Sequence, residues 1–312
     1  MSETSLRHLS PQTRPLADKP VEARIRAIRQ RRWIAHEPAR LLLLAMQEIF
    51  DQPQSDRMTG LLLTAASGMG KTMLLKTFNA RHRSHPPAEP GEAQYLPVLY
   101  VLMPDRLSGT SFYHEILRAL GAPLPSDRRI SRDQFRETVL RVLQAVRTRV
   151  LIVDEINSAL EGSANEQRAF LQLLRYLSNQ LSLAILCAGT PEAEHVLYAE
   201  PQIRSRLHHL ELPLWQADED LQLFVNLLVQ SYPLRAPSPV QNAQLLRLLF
   251  ERSGGITKTI GDALERAAII AVQSGTEKID LTLLRQDAVW SPFAATDRLP
   301  ARLLKRRAGC EP

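Results

Sequence analysis

The sequence predicts an α/β fold, in which a parallel sheet is flanked by helices on both faces and followed by a small helical domain. Short apolar strands alternate with helices over the first two thirds of the chain. The strands are continuously apolar rather than alternating, which is typical of parallel strands buried on both faces. Beyond Pro213 the strand pattern stops, while helical periodicity continues. The core is therefore expected to end there.

The predicted elements follow each other in a regular order. Strands are predicted over residues 61–64, 97–103, 150–153, 183–188 and 209–212. Helices are predicted over residues 71–80, 111–120, 135–146 and 166–179 in the core, and over residues 218–230, 240–252, 259–273 and 281–287 beyond it. Three prolines in residues 1–20 predict a mostly unfolded start. The expected domains are a basic, partly disordered N-terminal arm (1–30), the α/β core (31–213), a helical domain (214–290) and a basic C-terminal tail (291–312).

The composition excludes several classes of protein. Of the 312 residues, 44% are hydrophobic and 23% are charged, which excludes wholesale disorder, a collagen-like sequence and a coiled-coil rod. Apolar runs fall far short of the roughly 20 residues that a membrane span needs. The first residues lack the pattern of a secretory signal. Two cysteines cannot build a disulfide framework or a Cys-rich zinc site. We therefore expect a cytoplasmic protein that does not enter membranes.

The charge of the chain suggests an anionic partner. The formal net charge is +6, and basic residues are concentrated at the two ends. Most basic residues are arginine, whose planar fork of donors suits phosphates and carboxylates. A polyanion or an acidic partner would explain this distribution. A genome that favours arginine codons, combined with solvated tails, would explain it equally well.

A phosphate-binding loop is predicted between the first strand and the helix that follows it. Residues 64–72 have the sequence T-A-A-S-G-M-G-K-T. Gly68 and Gly70 let the backbone turn its N–H groups toward phosphate oxygens, and the start of the helix adds its positive dipole end. Lys71 would reach the β- and γ-phosphates, and the Thr72 hydroxyl would ligate Mg²⁺. The first glycine of the G-x-x-x-x-G-K-[ST] pattern is alanine here, a small residue that the position tolerates. The nucleotide-binding residues expected here are Ser67, Gly68, Met69, Gly70, Lys71, Thr72 and Met73.

A pair of carboxylates ends the third predicted strand. Residues 150–153 are wholly apolar and lead directly into Asp154 and Glu155. The end of a central parallel strand delivers its side chains to the ligand edge of the sheet. Asp154 is expected to hold Mg²⁺, and Glu155 to orient and deprotonate the attacking water. Together with the loop, the pair predicts ATP hydrolysis that depends on Mg²⁺.

Other positions fit phosphoryl transfer. Thr190 follows the fourth strand and could contact the γ-phosphate or the water, or merely cap the strand end. Arg204 and Arg206 precede the fifth strand and could reach the nucleotide of a neighbouring subunit, or form surface ion pairs. Lys258, near the start of a helix in the second domain, could fold over the nucleotide, or be a solvated lysine.

These features together resemble an AAA+ ATPase. More narrowly, the segments at residues 32–36 (R-W-I-A-H) and 57–58 (R-M) resemble TniB, a transposon-encoded ATPase similar to TnsC and, more distantly, to MuB. The resemblance implies an AAA+ core with a C-terminal helical lid, and an ATP-dependent oligomer that forms a ring or a helical filament on duplex DNA. It implies recruitment of a transposase and of a TniQ-type target selector. It assigns nucleotide contacts to Lys71, Thr72, Asp154, Glu155 and Thr190.

The resemblance also assigns roles outside the two motifs. It makes Arg206 the arginine that acts in trans, with Arg204 as second choice, and it makes Ile34 and His36 candidates for adenine contacts. The second sensor of the family is usually arginine, a pattern from which Lys258 departs. In related proteins, a loop and helix after the second strand contact DNA. The corresponding candidates here are Arg106, Thr110, Arg128, Arg129 and Arg132.

Three further functions compete with this interpretation. A helicase loader or replication initiator would share the ATPase motifs. A nucleotide-gated adaptor would bind ATP without needing turnover, and the carboxylate of Glu155 argues against it. A signalling switch NTPase would be expected to carry a repeat sensor domain. The sequence does not support a metal hydrolase or a serine hydrolase of these classes, because the H-E-x-x-H and G-x-S-x-G patterns are absent from it.

Overall fold

Parallel pairing of strands organises the α/β part of the protein. The computed structural model describes residues 6–82, 84, 94–108, 110–124, 131–197 and 200–291. Within this part of the chain the strands are β1 (Gly60–Thr64), β2 (Val98–Leu102), β3 (Val150–Asp154), β4 (Ala184–Gly189) and β5 (Leu207–Glu211). They form one sheet in the order β2-β3-β4-β1-β5, and every pairing is parallel. The strands that end at the two predicted motifs, β1 and β3, therefore lie on either side of β4.

The helices match the predicted alternation. In chain order they are α1 (Arg14–Ala17), α2 (Val21–Ile28), α3 (Glu37–Asp51), α4 (Lys71–Arg81), α5 (Ser111–Ala119), α6 (Arg132–Ala145), α7 (Ala164–Leu181), α8 (Ala193–Leu197), α9 (Pro201–Arg204), α10 (Glu219–Gln230), α11 (Ala243–Ser253), α12 (Thr257–Ser274), α13 (Leu281–Leu284) and α14 (Asp287–Trp290). A 3₁₀ helix covers Ile156–Glu161. The fifth strand begins two residues earlier than predicted.

Both faces of the sheet are covered, because alternate strand residues point to opposite sides. On one face, Leu62, Val101 and Val153 join the apolar residues of α5, α6 and α7 in a single buried cluster. On the other face, α3 and α4 contact the strands, with Met46 and Phe78 fully buried. The predicted α/β architecture is therefore confirmed.

The chain divides into two compact units. Residues 35–214 form the α/β unit. The helical unit combines residues 1–34 with residues 215–312. The sequence places its boundary after residue 213, close to the observed one. It assigns residues 1–30 to a separate arm, whereas the structure groups their described part with the helical unit.

The start of the chain is more ordered than the sequence suggests. Leu6, Leu9 and Ala17 form a small buried cluster, and helices α1 and α2 follow. The prolines that suggested an unfolded segment instead begin helices: Pro15 lies in the first turn of α1, and Pro20 is the N-cap residue of α2. Proline is compatible with these positions because its missing N–H has no helical partner there.

One arginine fastens α2 to the rest of the helical unit. The Arg24 side chain is 1% exposed and forms an ion pair with Glu277. Its Nε also donates a hydrogen bond to the Pro233 carbonyl at 3.0 Å. Burial alone would raise the pKa of Glu277, but hydrogen bonds from Arg24 and Arg235 outweigh it and lower that pKa.

Among the described residues, none of the helices combines the length and apolar character that a bilayer span requires.

Candidate nucleotide site

The loop between β1 and α4 has the backbone of a phosphate cradle. Gly68 and Gly70 have φ angles of +81° and +100°, a region that side chains with a Cβ rarely enter. Gly70 is also the N-cap residue of α4, so the loop ends at a helix N-terminus. Between the two glycines Met69 is buried, whereas Ser67 is exposed. The loop therefore presents backbone N–H groups while Met69 anchors it in the core.

Lys71 lies in the middle of a polar cluster. Its Nζ donates hydrogen bonds to the Ala65 carbonyl at 2.7 Å and to the Ala66 carbonyl at 3.3 Å. Burial lowers the pKa of Lys71, while the carboxylates of Glu155, Asp154 and Glu192 oppose that shift. Three acidic side chains, from two different segments, thus lie close enough to attract this ammonium group.

Asp154 brings the two predicted motifs together. It has no exposed surface, and its Oδ2 accepts a hydrogen bond from the Thr72 hydroxyl at 2.8 Å. The same oxygen accepts a hydrogen bond from the Tyr100 hydroxyl at 2.7 Å. Oδ1 accepts a hydrogen bond from the Glu155 backbone N–H at 2.9 Å. Three donors compensate the burial of this carboxylate. An unpaired buried carboxylate would destabilise the fold by several kcal/mol, on the order of the desolvation cost of a buried ion.

Glu155 occupies an uncommon backbone conformation. Its φ and ψ angles are +57° and +42°, in the left-handed region, directly after β3. Such a conformation costs a residue with a Cβ about 1 kcal/mol or more, and it recurs at functional sites. The turn that it makes starts the 3₁₀ helix, which carries Asn157. The Asn157 side chain in turn accepts a hydrogen bond from the Thr190 backbone N–H at 3.1 Å.

The hydrogen bond to Asn157 holds Thr190 at the carboxyl ends of the strands, where Asp154 and Glu155 also lie. It follows β4, whose neighbours are β1 and β3. A hydrogen bond with the Thr190 side chain lowers the pKa of Glu192. Lys71, Asp154, Glu155 and Thr190 therefore gather at the carboxyl ends of three adjacent strands.

The residues at this edge fit a magnesium nucleotide. Hydroxyl and carboxylate oxygens, here from Thr72 and Asp154, are the ligands that Mg²⁺ prefers. Lys71, the loop N–H groups and the start of α4 supply donors and positive charge for phosphates. Met73 follows on the first turn of α4 and is half-buried. These side chains and N–H groups make the site chemically suitable for a magnesium nucleotide.

Arg206 lies at the amino ends of the strands, opposite the phosphate loop. The Gly60 N–H donates to the Arg206 carbonyl at 2.9 Å, which places Arg206 beside the amino end of β1. A five-residue strand such as β1 spans roughly 13–16 Å. Arg206 therefore lies a strand length from the loop of its own chain. Arg204 lies on α9 and has a carboxylate neighbour, with 3.8 Å between its Nη2 and Glu194.

The guanidinium group of Arg206 lies near other positive charges. Its Nη1 donates to the Asn179 side chain at 2.6 Å, while its Nε is buried without a hydrogen-bond partner among the described residues. Burial, followed by the guanidinium groups of Arg57 and Arg175, lowers the pKa of Arg206. An anion beside these guanidinium groups would reduce their mutual repulsion.

The remaining nucleotide candidates are dispersed. Lys258 lies on α12 of the helical unit, where its Nζ is 2.7 Å from the Asp262 carboxylate. Ile34 is the last residue of the first segment of that unit. His36 is buried and is the N-cap residue of α3 in the α/β unit.

The structure describes three of the five DNA-binding candidates. Arg106 is exposed in the segment after β2, and Thr110 is the N-cap residue of α5. Arg132 begins α6 and borders a cavity of about 200 Å³, which Leu107 of the same segment also lines. The other two candidates, Arg128 and Arg129, lie outside the described residues, as does the predicted basic tail from residue 292 onward.

Sequence reasoning missed two residues of the site. Tyr100 donates to the Asp154 carboxylate, and Asn157 supports the Thr190 turn. The signal for Tyr100 was its place as a polar residue within the otherwise apolar β2, one strand away from Asp154. Asn157 follows the carboxylate pair by two residues, but the turn that directs it inward depends on the left-handed Glu155.

Comparison with known families decides where the chain belongs. The model of the family described as "Bacterial TniB protein" matches residues 24–217, more than half of the chain. The chain belongs to the TniB family. The match covers the loop, the carboxylate pair and the arginines before β5. Membership confirms the family expected from the two short N-terminal segments, even though the R-M and R-W-I-A-H matches are small.

Solved structures show which fold this TniB-family chain adopts. The ORC2 protein of Aeropyrum pernix, solved in ADPNP–ADP complexes, is 19% identical and has a TM-score of 0.61, over 88% of this chain and 74% of that one. The Aeropyrum pernix ORC1 protein in complex with DNA is 17% identical, with a TM-score of 0.52 over 88% and 69%. Drosophila ORC bound to DNA is 14% identical, with a TM-score of 0.52 over 96% and 76%. These likenesses confirm the AAA+ fold with its helical C-terminal region.

A curated relative matches a smaller region. The General secretion pathway protein A of Aeromonas hydrophila is 28% identical over 179 residues, which are 51% of this TniB-family chain. The match spans 30% of that relative, so the chain covers less than a third of its length. The likeness is limited to one portion of a longer protein.

Proposed function

We propose that this TniB-family protein is a Mg²⁺-dependent ATPase. The observation that carries the proposal is the 2.8 Å hydrogen bond between Thr72 and Asp154, which joins the phosphate loop to the end of β3. Lys71 and the loop N–H groups bind the phosphates, and Thr72 and Asp154 hold the cation. When bound, Mg²⁺ supplies positive charge that offsets the negative charge of the phosphate oxygens.

The hydrolytic step is assigned to residues beside this contact. Glu155 accepts a proton from the attacking water and orients it toward the γ-phosphate. Its left-handed backbone turns its side chain away from the direction of β3, while its N–H holds the Asp154 carboxylate. Thr190 contacts the phosphate or the water from the end of β4. Asn157 fixes the backbone of that turn.

The ATPase is proposed to act in DNA transposition, as an oligomer that forms a ring or filament on duplex DNA. Membership of the TniB family and the net charge of +6 support this role. Arg106 and Arg132 supply two of the basic side chains for phosphate contacts that do not read sequence. Recruitment of a transposase and of a TniQ-type target selector, in the cytoplasm, belongs to the same proposal through the family resemblance.

Replication initiation is the second candidate. The likeness to ORC proteins, two of them solved with DNA, favours it. That likeness lies at 14–17% identity for the two complexes, a range in which only the fold is shared. The family match covers the nucleotide motifs directly, so transposition is the better supported of the two.

The ATPase proposal is tested with two substitutions of opposite expected outcome. Lys71→Ala should abolish ATP binding and ATP-dependent DNA association, because it removes the point charge on the phosphates. Glu155→Gln should keep ATP binding and stop turnover, and it should therefore lengthen the life of the DNA-bound assembly. Phosphate release, nucleotide binding and electron microscopy with duplex DNA measure these three properties. Wild-type turnover in Glu155→Gln would remove Glu155 from its role.

DNA binding is tested through its dependence on salt. If backbone phosphates are the ligand, log K should fall linearly with log salt concentration, with a slope of about −0.9 for each phosphate neutralised. Arg106→Ala and Arg132→Ala should each reduce that slope by about one and leave sequence preference unchanged. Arg247→Ala, which removes an exposed arginine on α11, is the control. An affinity independent of salt contradicts the backbone-phosphate model.

A further inference from the structure

A tyrosine on the neighbouring strand contacts the carboxylate that ends β3. Strands β2 and β3 pair with Leu102 beside Asp154, so Tyr100 lies two residues back on the same face of the sheet. The Tyr100 hydroxyl donates to Asp154 Oδ2 at 2.7 Å. The other residues of β2 are valine and leucine. The polar side chain in this apolar strand is therefore the one that contacts Asp154.

The two hydroxyl groups that donate to Asp154 Oδ2 differ in whether they are proposed to ligate Mg²⁺. Thr72 begins the helix after the phosphate loop, and its hydroxyl is the one proposed to ligate Mg²⁺. Tyr100 is held by its rigid ring, and the Lys76 ammonium lies 5.5 Å from the centre of that ring. When the Thr72 oxygen engages a cation, the Tyr100 hydroxyl still restrains Oδ2. The Glu155 N–H restrains Oδ1 in the same way.

We infer that Tyr100 is a positioning residue for Asp154: its hydroxyl fixes the carboxylate in the orientation that receives a magnesium nucleotide. Tyr100 itself is not a catalytic residue, because it acts through Asp154. The inference rests on the proposed ATPase function. It assigns to the second strand a part in metal affinity, separate from the binding of phosphates by Lys71 and the loop.

The experiment removes a single oxygen atom. Tyr100→Phe keeps the ring and deletes the donor, and Tyr113→Phe does the same to a buried tyrosine on α5, which serves as the control. Binding of a fluorescent ADP analogue is measured in EDTA and across a Mg²⁺ titration, with thermal unfolding in parallel. For Tyr100→Phe, affinity in EDTA should stay within about twofold of wild type, while half-saturating Mg²⁺ rises about tenfold, the loss expected for one hydrogen bond to a charged group. Tyr113→Phe should match wild type in both conditions.

A second pair of variants separates positioning from packing and keeps the test open if Tyr100→Phe folds poorly. At position 100, 4-aminophenylalanine retains a donor on the same ring, whereas 4-methylphenylalanine fills the same volume without one. The first should restore the wild-type response to Mg²⁺, and the second should not. Equal responses of the two, or an equal loss of affinity in EDTA and in Mg²⁺, overturn the positioning role.

The outcomes for the wild type distinguish this inference from the function on which it rests. If the wild type binds nucleotide equally well with and without Mg²⁺, the positioning role is overturned and nucleotide binding stands. If the wild type binds no nucleotide in either condition, both the ATPase proposal and the role of Tyr100 are overturned.

Discussion

Gly189 ends β4 in a space that admits no side chain. A Cβ added there would lie 2.6 Å from the Ala193 Cβ and 2.8 Å from the Asn157 side-chain oxygen. Both distances are shorter than real Cβ contacts, and Ala193 cannot move aside without moving its helix. Gly189 therefore allows Asn157 to approach the Thr190 backbone.

Gly189→Ala should destabilise the protein by about 1–3 kcal/mol, as expected for overpacking. ATP turnover should fall further than nucleotide binding, because the Thr190 turn would shift. Gly261→Ala is the matched control: nothing lies within 4 Å of a Cβ added at this position in α12. It should stabilise the protein by about 0.5–1 kcal/mol through helix propensity. Denaturant unfolding and phosphate release measure the two effects, and an unchanged Gly189→Ala protein would contradict the tight packing.

Single residues of the site could be predicted where they belong to a motif, such as the phosphate-binding loop or the carboxylates that follow an apolar strand. The contact of Thr72 with Asp154 is of that kind, because both end or follow strands of a parallel sheet. Tyr100 stands out in the sequence as the polar residue of an apolar strand, but its contact with Asp154 depends on strand register, and the contact of Asn157 depends on the backbone angle of Glu155.

Among the helices, α2 is held by a contact between residues that are far apart in the sequence. Its attachment could not be predicted from sequence, because Arg24 and Glu277 are 253 positions apart. A basic segment near the start of a chain is usually solvated. Here Arg24 is buried, and the guanidinium is satisfied by Glu277 and by the Pro233 carbonyl.

This ion pair makes the stability of the helical unit depend on pH. The folded-state pKa of Glu277 lies below its unfolded value, so the ionised carboxylate stabilises the unit above about pH 4.3, the ordinary value for glutamate, and the contribution is lost as pH falls through the folded pKa. Glu277→Gln should cost about 2–3 kcal/mol at pH 7, less than for a wholly buried pair because Glu277 keeps some exposure. The difference from wild type should close as the pH falls below the folded pKa.

Tryptophan fluorescence can follow this unfolding selectively. The three tryptophans of the sequence, Trp33, Trp215 and Trp290, all belong to the helical unit. Denaturant titrations at pH 3 to 7 therefore report on that unit. Lys278→Gln, which removes a neighbouring exposed charge, is the control and should leave the pH dependence unchanged. A gap between wild type and Glu277→Gln that persists at the lowest pH would contradict the assignment.

For the whole molecule, the position of Arg206 at the amino edge of the sheet bears on assembly. The phosphate loop lies at the carboxyl edge of the same sheet, a strand length away. An arginine so placed is suited to the nucleotide of a neighbouring copy, and arginines that act in this way raise turnover roughly 10³- to 10⁵-fold in other NTPases. The nearby guanidinium groups of Arg57 and Arg175 add positive charge around it, which favours an anionic partner.

Mixing two inactive variants tests this arrangement. Arg206→Ala should bind ATP and yet hydrolyse it poorly, whereas Lys71→Ala should lack the binding site but keep the arginine. Combined, they should recover part of the ATPase activity at mixed interfaces. Cross-linking verifies that the two chains assemble together. If they do and no activity returns, Arg206 does not act in trans, and Arg204 is the next residue to substitute.

The division of the helical unit between the two ends of the chain has a consequence for synthesis on the ribosome. Arg24 emerges 253 residues before its partner Glu277. At the usual elongation rate of about 5–20 residues per second, this separation corresponds to roughly 13–50 seconds. All five strands of the α/β unit are made within that interval, whereas α12, against which α2 packs, is made only near its end. Helix α2 is thus made long before the helix against which it packs, and it completes its contacts late.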